Sequence, residues 1–124
     1  MSRPFNRNYS IGFGGGGVTY YVQWLMFANI AVFVVQLLVF IAPAAHRPFM
    51  EYLAYSNSHL LSGWVWVPVT YMFLHGGLSH LFFNMLQLYF FGPEVERTLG
   101  TRQFLRFFLF CGVAAALTNL LVLL

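Results

Sequence analysis

The run from Tyr21 to Ala42, YVQWLMFANIAVFVVQLLVFIA, is 22 residues long and holds no charged side chain. As an α-helix rising about 1.5 Å per residue it reaches roughly 33 Å, enough to cross the hydrocarbon core of a bilayer. Tyr20, Tyr21 and Trp24 stand at its start, where amphipathic aromatic rings favour headgroup level. Pro43 follows and is expected to stop the helix. Asn29 and Gln36 are seven apart and so share a face, and polar amides in lipid turn toward neighbouring helices.

The composition of the 124 residues agrees with that reading. Only 7% are charged, 60% are hydrophobic and the mean hydropathy is +0.71. A water-soluble domain carries about 25% charged residues, so this chain has too few to cover a surface facing water. That excludes a soluble globular enzyme and a disordered chain. Cys111, the single cysteine, excludes a disulfide scaffold. All six cations are arginines, and none forms a cluster interleaved with aromatics, so no nucleic-acid surface is expected. The expected fold class is an all-α integral membrane protein. It has three transmembrane helices and a long, partly membrane-embedded loop between the first and second.

Residues 1–20 read as a leader, with Gly14 to Gly17 in a row. It does not resemble a cleavable signal peptide, because the apolar stretch behind it is too long and lacks a small-x-small site. Residues 21–124 form the transmembrane domain, with spans at about 21–42, 79–97 and 103–124 and a loop at 43–78. The loop stretch Gly63 to Leu74 is apolar, broken by Pro68 and too short to span; it reads as interfacial or re-entrant. Ser79 is the expected N-cap of the second span. Gly92-Pro93 need not end that span, and the turn falls closer to Gly100.

The arginines orient the chain. Arg3 and Arg7 lie in the leader, Arg97, Arg102 and Arg106 lie between the second and third spans, and the long loop carries only Arg47. The positive-inside rule then puts the N-terminus and the second connection in the cytoplasm and the C-terminus on the opposite side. The absence of lysine fits a bacterial cytoplasmic membrane.

The stretch His75-Gly76-Gly77-Leu78-Ser79-His80-Leu81-Phe82-Phe83-Asn84 holds the candidate chemistry. His80 and Asn84 are four apart and stack on one helical face. Both can donate a hydrogen bond to an oxyanion, a contribution of about 3–4 kcal/mol per donor in acyl-transfer sites. Both can equally well bond to a neighbouring helix.

His75 through Gly100, HGGLSHLFFNMLQLYFFGPEVERTLG, closely resembles the second transmembrane helix and following turn of the rhomboid intramembrane serine proteases, and the preceding WVPVTYMF resembles the end of their first loop. The resemblance implies that His80 and Asn84 help form an oxyanion hole. It implies structural roles for His75, Trp66, Glu96 and Gly100. Val67 departs from the family by standing where many relatives have arginine. Rhomboids also use a serine in Gly-x-Ser-Gly and a histidine on later helices. The only Ser-Gly pair here, Ser62-Gly63, follows Leu60-Leu61, so neither member of that dyad is present. Oxyanion donors without a nucleophile transfer no acyl group.

Two functions follow. The first is a non-proteolytic rhomboid-like subunit. It packs against transmembrane helices of a larger complex, with the bilayer and other membrane proteins as partners and the leader held by a partner. Asn29, Gln36, Gly112 and Ala115 are its candidate helix-packing residues. The alternative is the N-terminal part of a rhomboid protease that cleaves transmembrane substrates. No metal site is expected, since His75 and His80 are poorly spaced for two ligands on one helical face. No cofactor is expected beyond lipid contacts. His80 is a candidate ligand for haem or chlorophyll by default only.

Overall fold

The computed structural model describes residues 17–123, and every regular element among them is helical. In chain order these are α1 (Tyr20–Phe40), α2 (Pro43–Leu53), α3 (Asn57–Leu61), α4 (Val67–Thr70), a 3₁₀ turn at Tyr71–Phe73, α5 (Leu78–Leu99) and α6 (Thr101–Leu123). The long helix α1 packs on α5, α5 packs on α6, and the short helix α4 lies against α6.

Two of the helices, α1 and α6, are long and apolar enough to cross a membrane. Their outer faces are bare of cover. Phe40, Phe110 and Leu121 are 67%, 71% and 75% exposed, a surface that water would not tolerate and lipid tails would. Helix α5 is equally long, with 22 residues, but carries Pro93, Glu94, Glu96 and Arg97 in its last two turns. The core is correspondingly small. Val22, Leu25 and Phe104 form it, with Leu88, Val95 and Phe108 packed around them. Val22, Leu25, Val95 and Phe104 lie toward the end of the bundle where α1 begins and α5 ends.

Several boundaries differ from the sequence reading. Helix α1 ends at Phe40, just before Pro43, and Pro43 also opens α2, at a first-turn position where its missing N–H costs nothing. The stretch 43–78 is therefore not an irregular loop: α2, α3, α4 and the 3₁₀ turn occupy much of it. Ser79 is the second residue of α5 and not its cap; Gly77 holds the cap position with no side-chain bond. Gly92-Pro93 runs on inside the helix. A Cβ on Gly92 would stand 2.7 Å from Cγ2 of Val22, so the glycine is there to let α1 approach α5. Helix α5 ends at Gly100, whose φ of +84° suits glycine, and α6 starts at the next residue. Of the leader, residues 1–16 lie outside the described residues, and so does most of the contact expected for it. Its last residues are tied to this chain's own α5: Arg97 donates to the carbonyl of Gly17 at 2.9 Å.

Candidate functional site

The site is built where the 3₁₀ turn leads into α5. Gln36, about one turn from the end of α1, faces the backbone of His75. The His75 N–H donates to Gln36 Oε1 at 3.0 Å, and Gln36 Nε2 donates to the His75 carbonyl at 3.2 Å. One side-chain amide thus satisfies both polar groups of a buried residue, as a neighbouring strand would. Asn29 is 3% exposed and donates to the Leu25 carbonyl of its own helix at 2.7 Å.

His75 itself is 5% exposed, with its ring edge-on to Phe33 and to His80. Its Nδ1 lies 3.0 Å from the Phe73 carbonyl. A carbonyl only accepts, so Nδ1 carries the proton and Nε2 is left as a bare lone pair. That Nε2 is buried and without a partner among the described residues. Burial pushes the His75 pKa below its ordinary value, the bond to Phe73 opposes the shift, and His80 adds to it.

His80 is exposed on the first turn of α5, and its Nδ1 lies 3.3 Å from the Gly76 amide. An N–H only donates, so here Nδ1 is the acceptor and the neutral ring carries its proton on Nε2. The two neighbouring histidines, with ring centres 5.2 Å apart, therefore hold opposite tautomers. One turn along α5, Asn84 is half-buried and makes no side-chain hydrogen bond to a described residue. It lines an open groove of about 520 Å³ between α5 and α6, with Asn29 of α1 and Met72 also on its wall and Phe91, Phe104 and Cys111 along its length. The groove has the size of a small-molecule or side-chain site. His80 Nε2–H and the Asn84 amide are donors suited to an anion, and neither is a nucleophile.

The remaining residues singled out from the sequence serve the frame. Glu96 is 4% exposed, and its carboxylate accepts the Thr19 hydroxyl and the backbone N–H groups of Tyr21 and Val22 at 3.2 and 3.1 Å. It caps α1 from the far end of α5, where the helix dipole favours negative charge. Trp66 donates its indole N–H to the Tyr52 carbonyl at 3.0 Å and stacks on Trp64, which stacks on His59. Val67 is wholly buried. Gly112 lies under Met72, but Ala115 faces outward, and its neighbour Ala116 is the buried one at 2% exposure.

Sequence reasoning missed the tyrosines. Tyr71 donates to the Gly112 carbonyl at 2.7 Å and Tyr55 to the Ala116 carbonyl at 2.8 Å. Both strap the 43–78 segment to one face of α6. Their only sequence signal is a phenol in an apolar stretch, which needs a partner when buried. No group of three His, Cys, Asp or Glu side chains gathers among the described residues.

Comparisons with known proteins agree with the resemblance. The family model described as the rhomboid domain matches residues 62–124. Rhomboid protease GluP of Bacillus subtilis (strain 168) is 36% identical over 66 residues, which is 53% of this chain and 13% of that protein. Rhomboid protease GlpG of Yersinia pestis (strain Pestoides F) is 38% identical over 58 residues, 45% of this chain and 20% of that protein. The chain thus spans a fifth or less of these relatives in the matched stretch. No solved structure matches it. The motif around His80 and Asn84, the all-helical frame and the match over its second half together make this chain a member of the rhomboid family.

Proposed function

We infer that this chain supplies the oxyanion wall of an intramembrane serine protease of the rhomboid type. The nucleophile and base would come from helices that pack into the groove between α5 and α6. The observation that carries the reading is the pair His80 and Asn84. One presents its N–H from a defined tautomer, the other has no partner among the described residues, and both stand on one face of α5. Uncommitted donors on a membrane helix are costly unless a partner or a reaction uses them. The relatives that match this stretch are named as rhomboid proteases.

In this reading α5 is the third membrane crossing. Arg97, Arg102 and Arg106 are exposed around the junction of α5 and α6, the same end at which α1 begins. The positive-inside rule puts that end in the cytoplasm, here of a bacterial cell. Arg47 on α2 sits beyond the opposite end of α1. The substrate class is a transmembrane segment presented at the groove.

A second reading, a packing subunit without chemistry, is favoured by the groove itself, whose apolar walls and polar Asn29, Asn84 and Gln87 suit another transmembrane helix. One experiment separates the two. The native assembly is purified from its membrane, its mass is measured, and it is treated with a fluorophosphonate probe. A labelled serine, lost in step with cleavage of a transmembrane reporter, supports the protease. A 14.2 kDa chain with stoichiometric partners and no labelled serine sinks it in favour of the subunit.

A further inference from the structure

We propose that Gln36 is a positioning residue for His80, acting through the peptide bond between His75 and Gly76. This deepens the oxyanion reading and rests on it for its catalytic consequence, though not for its structural one. The carbonyl of that peptide accepts from Gln36 Nε2 at 3.2 Å, and its N–H donates to His80 Nδ1 at 3.3 Å. One rigid plane is therefore held by α1 on one side and grips the histidine ring on the other. A hydrogen bond at the carbonyl also polarises the N–H and strengthens its donation.

The His75 N–H, donating to Gln36 Oε1 at 3.0 Å, fixes which way the amide of Gln36 faces, because an N–H cannot meet an NH₂ group. Gln36 cannot then turn over without losing both bonds. With Nδ1 engaged, the His80 proton is confined to Nε2, the nitrogen free to donate away from the turn. Free neutral imidazole distributes its proton over both nitrogens; this ring is prevented from doing so by a residue 44 positions earlier in the chain. Gly76 suits the arrangement, since a Cβ there would meet His80 Nδ1 only at 3.9 Å, an ordinary contact. Alanine at this position therefore keeps the bond, and proline, which has no N–H, removes it.

The test reads the tautomer directly. The full chain is prepared in lipid nanodiscs with ¹⁵N-labelled histidine at pH 8, and a His80→Gln sample identifies the His80 resonances. The expected native pattern is an unprotonated Nδ1 and a protonated Nε2. Gln36→Met and Gly76→Pro each move the tautomer ratio about five- to tenfold toward Nδ1–H, the loss of one hydrogen bond of ordinary strength. Gly76→Ala leaves it in place. His46 and His59, remote from the turn, report whether a variant still folds.

A native His80 protonated on Nδ1 overturns the proposal. So does an unmoved pattern in Gln36→Met with His46 and His59 unshifted. If both variants disturb those two histidines, the native protein decides through the presence or absence of the coupling across the bond from Gly76 N–H to His80 Nδ1. In the assembled protease, Gln36→Met lowers kcat with KM nearly unchanged. A shifted tautomer with unchanged kcat removes the oxyanion reading and leaves the positioning role. An unshifted tautomer with His80→Ala inactive does the reverse.

Discussion

The carboxylate of Glu96 receives the backbone N–H of Val22 at 3.1 Å, across 74 residues of chain. With the Tyr21 N–H and the Thr19 hydroxyl it takes three donors at the first turn of α1, groups that no residue of α1 itself satisfies. Removing the side chain leaves these donors buried or half-buried. Glu96→Ala is expected to cost about 3 kcal/mol of stability. Glu96→Gln, which keeps one acceptor and turns an NH₂ toward a donor, should cost about half as much. Unfolding of the two variants in a mixed detergent series checks the order.

The glycines make a second, steeper test. A Cβ at Gly92 meets both γ-carbons of Val22, a fully buried and β-branched residue with nowhere to turn. Gly92→Ala should destabilise by about 1–3 kcal/mol. At Gly112 the obstructing atoms all belong to the Met72 side chain, whose thioether end can swing aside. Gly112→Ala is expected to cost less than Gly92→Ala in the same assay, and equal costs would contradict the packing described.

His75 gives a pH dependence. Its folded pKa lies below the ordinary histidine value of about 6.5, so the unfolded chain binds its proton first as pH falls. The contribution is therefore complete above about pH 6.5 and is lost as pH drops through the lowered value. His75→Asn keeps a donor near the Phe73 carbonyl but does not titrate. The drop in thermal midpoint between pH 8 and pH 5 should be smaller for His75→Asn than for the native chain.

If the chain supplies the oxyanion wall proposed above, His80→Ala and Asn84→Ala each lower kcat about 10²–10³-fold, with little change in KM. Their double variant should fall short of the product of the two, since both donors serve one anion. Steady-state cleavage of a transmembrane reporter measures all three.

Much of this was legible in the residues. The uncharged run after Tyr20 and the motif from His75 to Gly100 each carry their meaning locally. The 43–78 segment did not. Its short helices stand on contacts made far away, such as Tyr71 on Gly112 and Thr70 on the Leu53 carbonyl, and Pro43 was legible as the end of α1 but not as the start of α2, because a proline follows one helix and begins another with equal ease. Three consecutive alanines, Ala114 to Ala116, look alike in sequence; only the direction of α6 singles out Ala116. The backbone of His75 as the partner of Gln36 was not readable from spacing.

The cap on α1 also has an order in time. Val22 leaves the ribosome 74 residues before Glu96 exists, so the first helix is made with its leading amides unanswered. They are answered only once α5 has been threaded end to end with its acidic terminus back beside the start of α1. An α5 that stops halfway, or inserts the wrong way round, leaves Glu96 far from Val22. Closure of that contact is thus a signature of completed topology: the first helix is sealed by the last turn of the one that must return to it.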